Sequence, residues 1–451
     1  MDVFLTIVYC ALCTCMLIYN YSKCQKLLNV LNVYLLIWMF MVTFYNMKLI
    51  LYYDLSALTW ILIFASTILV FLGYRFGNRL KVRRCSESAR EASTKDSTLK
   101  KIIIVTSVLS MVAIVPNTLL LIQRYGINLL GQSSQIYADT NAGTAPFTVP
   151  YFSALAQVSC ILAGIYFAKY GFHPIIILPL ALVMISILPS GRGWLILTIF
   201  FFLYPIMYFK RKGTPESYRI INKLKRVDTQ RKLILIMAVA IIFALFLAIT
   251  VNRSKNIDTT MYQYLTPQMA NIMTNTPWLM KMYQYFASPI GVLNAYLENP
   301  EFYFGGNTFG PLYNFLNKFG LSLEYIRYQK FYYIPFRTNV GTWLIELIQD
   351  FGFVGMLLVV TGFSVFVGYF DKRSMRNKQK EDILIAVIAD TILTMSFFMW
   401  YLREGTMFVI VLTCIIMKLF RRRRYKVKVE DTKSEVVTEQ PETAAEIGDN
   451  Q

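Results

Sequence analysis

The sequence predicts an all-α, polytopic membrane protein of about 11 transmembrane helices, with a long extracytoplasmic loop containing short helices. Three observations predict it. The chain of 451 residues is 56% hydrophobic and only 16% charged, too little polar surface to cover a soluble core of that size. Its apolar residues form uninterrupted, membrane-length runs rather than an amphipathic pattern. Its basic residues cluster between those runs.

The expected spans lie near 3–19, 28–45, 55–73, 102–122, 152–168, 175–189, 194–208, 233–250, 353–370, 383–401 and 406–419. The first follows Asp2 with no Lys or Arg ahead of it, unlike the basic start of a cleaved signal peptide, and reads as a retained helix. Spans six and seven are separated by Ser190, Gly191, Arg192 and Gly193, the composition of a tight turn. The expected membrane domain covers 1–420, and the polar stretch 421–451 reads as a disordered tail.

Charge sets the orientation. With the N-terminus outside and the C-terminus cytoplasmic, 34 of the 45 Lys and Arg fall in cytoplasmic segments and 11 fall outside. The net charge of +19 therefore encodes topology, and no nucleic-acid partner is expected. The basic start of the tail, Arg421 to Lys428, stops transfer first and meets anionic lipid second.

The outer stretch 251–340 has no membrane-length apolar run, yet 20 of its 90 residues are Phe, Tyr or Trp. Loops of that length are uncommon unless functional. Short amphipathic helices on or dipping into the interface are expected there. Aromatic faces in such a loop serve as an interfacial belt or pack on sugar rings, and Asn307, Asn314, Asn317 and Asn339 could bond sugar hydroxyls.

Several chemistries are excluded. The one histidine, His173, lies in a short cytoplasmic loop, so an outer His-based metal site or catalytic triad is not expected. No phosphate-binding glycine loop occurs, and neither a metal nor a cofactor is expected. The seven cysteines lie in spans or basic loops, so no disulfide framework is implied, and Cys10, Cys13 and Cys15 read as packing residues.

The rare outer cations are more informative. Arg192, Arg253 with Lys255, Arg337 and Arg403 stand where helices meet the outer surface. Singly, such residues snorkel to the interface. Together, they would make a pocket for phosphate, whose oxygens match the guanidinium fork. Glu346 and Asp350 share a helical face with Thr342, and either acts as a general base or holds an arginine in place. Glu404 has the same two readings, and Asp390, inside span ten, reads as a relay or a packing contact.

Taken in order, certain stretches resemble the oligosaccharide repeat-unit polymerases of bacterial surface polysaccharides, the O-antigen polymerase family. They are Ser190 to Trp194, Tyr285 to Tyr296 with Pro289 and Asn294, Gly305 to Leu312, Asn339 to Gly355, and Tyr401 to Gly405. Motif-level similarity spans mainly 190–405. The resemblance implies a glycosyltransferase of the bacterial cytoplasmic membrane whose two substrates are glycans on undecaprenyl diphosphate. It implies Arg192, Arg253, Arg403 and Arg337 as diphosphate contacts, the last for diphosphate or glycan, and Asp350 or Glu346 as base or orienter. A flippase and a chain-length regulator are implied partners, besides membrane lipids. The related ligases use a histidine in the long outer loop, which here has none. A flippase of lipid-linked oligosaccharide is the main alternative, but such carriers show repeated halves and short loops. A lipid-linked sugar transferase with an acidic early loop ranks lower, since that loop offers only Asp54.

Overall fold

Capping residues set the first helices. α1 (Asp2–Cys24) is followed by α2 (Val30–Asn46), whose N-cap Asn29 accepts the Asn32 amide, and by α3 (Ala57–Arg79), capped by the Ser56 hydroxyl. The computed structural model describes residues 1–24, 29–85, 93–142, 144–146, 151–187, 193–209, 251, 259–326 and 329–419. The carboxylate of Asp2 accepts the Leu55 amide at 3.1 Å and the Trp60 indole at 3.2 Å, joining the start of α1 to α3.

The second group comprises α4 (Asp96–Tyr125), α5 (Ser133–Ala142), α6 (Ala154–Tyr170), α7 (Ile177–Ile187) and α8 (Gly193–Tyr208). α6 is buried on all sides from Ala156 to Phe167 and packs against α4, α7 and α8, as a helix apolar all round must. His173 accepts the Ile175 amide through Nδ1 at 3.2 Å, capping the turn into α7.

The third group holds α9 (Pro267–Asn275), α10 (Pro277–Glu298), α11 (Gly310–Asn317), a hairpin of β1 (Tyr332–Tyr333) and β2 (Arg337–Thr338), α12 (Trp343–Asn377), α13 (Lys380–Thr394) and α14 (Gly405–Leu419). The hairpin is antiparallel, with Tyr332 opposite Thr338 and Tyr333 opposite Arg337.

Four helices, α1, α3, α4 and α12, are long and apolar enough to cross a membrane, and several shorter apolar helices accompany them. Phe4, Ile61, Phe76, Val112, Val354 and Leu358 point outward on these four helices. So broad an apolar exterior suits a membrane rather than water. The expected span at 233–250 and the tail at 421–451 lie outside the described residues.

Three expectations change. The loop 251–340 contains more than short surface helices, because α10 runs for 22 residues and is buried from Ala287 to Asn294. Hydropathy hides it because its polar groups are satisfied internally. The Asn294 Oδ1 accepts the Ser56 amide at 2.8 Å and the Thr59 hydroxyl at 2.7 Å. The ninth expected span also starts earlier, since helix extends back to Trp343 across a break at Gly352, where φ is +66°. The tenth ends earlier, because α13 stops at Thr394 and two short 3₁₀ turns lead to α14.

Close packing of α3 on α12 rests on Gly73, Gly77 and Gly368. A Cβ at Gly77 would collide with the Val365 carbonyl oxygen, and one at Gly368 with that of Tyr74. The spacing Gly73-x-x-x-Gly77 is the small-residue motif that lets membrane helices approach backbone to backbone.

The bundle has two chemically distinct ends. At one, Arg373 pairs with Asp382 at 2.8 Å, Lys418 with the same carboxylate at 3.5 Å, and Ser93 donates to Glu381 at 2.9 Å. Lys372 donates there to the Leu80 carbonyl at 2.9 Å. At the other end, the Leu51 amide donates to the Tyr264 carbonyl at 2.8 Å and the Tyr283 hydroxyl to that of Phe44 at 2.6 Å.

Candidate functional site

The short helical segment before the Gly352 break carries the site's carboxylates. Every residue from Trp343 to Asp350 is buried, so Glu346 and Asp350 must find their partners inside the protein. Their four-residue spacing puts them on one face, as the sequence predicts.

Glu346 binds Arg403. The guanidinium Nη1 lies 2.5 Å from Oε1, and both side chains are almost wholly buried. Gln329 donates to the same oxygen at 2.7 Å, and the Trp400 amide donates to Oε2. Arg403 Nη2 donates to the Ile326 carbonyl at 3.3 Å. One ion pair thus joins α12, the loop residues Ile326 and Gln329, and the turn entering α14. Burial makes each charge depend on the other, because desolvation in a low-dielectric site is offset only by a close, well-bonded partner.

Asp350 organises the glycine turn. Its Oδ1 accepts the Asn307 amide at 2.8 Å and the Asn307 side chain at 3.1 Å. Its Oδ2 accepts both the amide and the hydroxyl of Thr308 at 2.6 Å. The turn needs small residues, since Gly305 has φ +91° and sits against Phe309. Trp400 links the two carboxylates, because its indole donates to the Thr308 hydroxyl at 3.0 Å while its amide serves Glu346.

The other predicted residues are distributed differently. Arg337 lies on β2, exposed, with its guanidinium 4.3 Å over the Phe331 ring. It belongs to the hairpin rather than to the Arg403 network. Arg192 and Arg253 lie outside the described residues, as does the turn at 190–192. Gly193 does not; it packs on Tyr401 and Phe398, so the start of α8 abuts the turn that carries Arg403. Asp390 accepts from the Tyr208 hydroxyl and joins α13 to α8.

Asn307 serves Asp350, whereas Asn314 and Asn317 are used within the loop. Asn317 bonds the Leu323 amide and carbonyl at 2.8 and 2.9 Å, and Asn314 accepts from the Tyr325 hydroxyl at 3.1 Å. Gln329, Thr308 and Trp400 are site residues that sequence reasoning missed. The Trp400 indole had a signal, in its place just ahead of the Tyr401 to Gly405 stretch. Gln329 had none, because its carboxylate partner lies 17 positions away.

Some buried polar atoms here have no partner among the described residues: Asn307 Oδ1, Thr342 Oγ1, Trp343 Nε1 and Tyr401 Oη. Satisfying them falls to the rest of the chain, to water or to a bound molecule. Nearer the loop surface, Lys330 bonds Glu301 at 2.5 Å, and that hydrogen bond and charge hold the Glu301 carboxyl below its ordinary pKa. Among the described residues no cluster of His, Cys, Asp and Glu is arranged to hold a metal ion. Comparison with protein families, curated proteins and solved structures finds no match for this chain.

Proposed function

We propose that this chain polymerises lipid-linked oligosaccharide repeat units, carried on undecaprenyl diphosphate, into a bacterial surface polysaccharide. The reaction takes place at the outer face of the cytoplasmic membrane. The observation that carries the reading is the buried network joining Arg403, Glu346, Trp400, Thr308 and Asp350, remote from the basic end of the bundle. It assembles three of the stretches that resemble the polymerases: the glycine turn, the Asn339 to Gly355 segment and the Tyr401 to Gly405 segment.

In the proposed reaction, a sugar hydroxyl of the incoming repeat unit attacks the anomeric carbon of the growing chain. A new carbon–oxygen bond forms and the bond from that carbon to the diphosphate oxygen breaks. The hydroxyl proton is released, and undecaprenyl diphosphate leaves with the electron pair. Negative charge grows on the leaving group, and guanidinium forks at the membrane boundary stabilise it there. Arg192 and Arg253 are the proposed diphosphate contacts, Arg403 is proposed to serve the same diphosphate from its buried pair with Glu346, and Arg337 faces glycan or diphosphate.

The hydrogen bonding supports positioning roles for both carboxylates. Glu346 holds Arg403, and Asp350 holds the turn at Asn307 and Thr308 with both of its oxygens engaged. Deleting the gene and sizing the surface glycan tests the reading: a single repeat unit in place of the long-chain ladder is expected, and an unchanged ladder rejects it. Loss of all surface glycan, with lipid-linked repeat units retained inside, would favour the flippase alternative instead.

A further inference from the structure

At the basic end of the bundle, α1 and α3 leave a groove of about 510 Å³ between them. Its polarity is graded. Met16 on α1 and Phe71, Leu72 and Phe76 on α3 supply apolar walls, and Arg75 and Arg79 lie toward the end of α3. Phe71, Arg75 and Arg79 fall four residues apart, so they line one face of the helix in sequence from apolar to cationic. The outer wall consists of side chains facing away from the bundle, with Leu72 55% and Phe76 58% exposed. The groove therefore opens sideways, onto the surface that meets the membrane.

The cationic end is built. Arg75 donates from Nη1 to the Asn20 Oδ1 at 3.2 Å, and its guanidinium lies 5.4 Å over the Tyr19 ring. Asn20 is itself fully buried and fixed by Asn29 and Asn32 at 3.2 and 2.8 Å. Arg79 lines the same groove and has no carboxylate partner among the described residues. Beyond Asp2, at its far end, α1 has no acidic residue, and neither does the stretch 57–85. The remaining charged residues of these two segments are all basic, with Lys23, Lys81, Arg83 and Arg84 among them.

We propose that this groove binds one anionic phospholipid, its phosphate on Arg75 and Arg79 and an acyl chain along Phe71, Leu72 and Phe76. Charge complementarity selects the anionic headgroup, and the apolar walls open to the membrane select a lipid over a free phosphate. A helix-end arginine that only snorkels needs no hydrogen-bonded anchor, whereas Arg75 is held by Asn20 and Tyr19. The site is independent of the reaction at the opposite end.

The test uses the full chain, purified in detergent and titrated with phosphatidylglycerol or phosphatidylcholine, with bound lipid read by native mass spectrometry. The wild type is expected to retain one phosphatidylglycerol in preference to phosphatidylcholine. The double variant Arg75→Gln/Arg79→Gln is expected to bind it roughly thirtyfold more weakly, from the loss of two basic contacts near a headgroup. Leu72→Trp, which keeps both arginines and fills the trough, is expected to reduce binding as well. Melting curves verify that each variant is folded. Equal retention of the two lipids, undiminished binding by the double variant, or displacement of the lipid by millimolar inorganic phosphate would each overturn the proposal.

Discussion

Removing the Arg403 guanidinium would strand the Glu346 carboxylate, buried, without its counter-charge. Breaking a buried pair on one side costs about 3–5 kcal/mol, whereas replacing both partners by apolar groups is often neutral. Arg403→Ala is therefore expected to lower the unfolding temperature sharply. The pair Arg403→Met/Glu346→Leu is expected to recover most of that loss. Thermal unfolding of the purified variants checks this, and two strictly additive losses would contradict the coupling. The surface pair Lys330 and Glu301 behaves differently. The Glu301 carboxyl is held low in the folded chain, so its contribution is complete above its ordinary pKa of 4.5 and is lost as pH falls through the lower, folded value. Hydrogen-exchange protection in residues 299–326, taken relative to the intrinsic rate at each pH, should be weaker at pH 3.5 than at pH 6, and Glu301→Gln should flatten that difference. Protection equally pH-dependent in the variant would remove the pair from the account.

At the scale of elements, α3 and α12 meet through glycines. Gly77→Leu would drive a side chain into the Val365 carbonyl, and overpacking of this kind costs typically about 1–3 kcal/mol or more. Gly362, on the same helix as Gly368, has open space around its Cβ position, so Gly362→Ala should be neutral or stabilising by up to about 1 kcal/mol. Stability in detergent, measured side by side, tests the contrast; similar losses from both would refute the proposed contact. The glycine spacing was open to reading in the sequence, as were the apolar runs of α1, α3 and α4 and the shared face of Glu346 and Asp350. α10 was not, because Gln284, Ser288 and Asn294 lower its hydropathy while being buried by partners far away in the chain. The site was half legible for the same reason. Residue type and spacing marked Glu346, Asp350 and Arg403, but their pairing depends on Gln329, Thr308 and Trp400, which only the fold brings together.

For the whole molecule, the division of charge between the two ends carries the topological claim. The stretches 80–85, 93–96 and 372–382 meet at one end, and the aromatic loop sits at the other. Lys318→Cys, in the loop, should react with a membrane-impermeant thiol reagent in intact cells. The exposed Cys24 should react only after permeabilisation. The reverse pattern would invert the bundle and place the Arg403 site on the wrong side for a lipid-linked glycan. The central claim is catalytic, and the most direct measurement is made on the purified chain in liposomes supplied with undecaprenyl-diphosphate-linked repeat units alone. The account predicts glycans of two or more repeat units with release of undecaprenyl diphosphate, and loss of both products in Arg192→Ala at an unchanged melting temperature. Movement of intact lipid-linked units across the bilayer without elongation would contradict it.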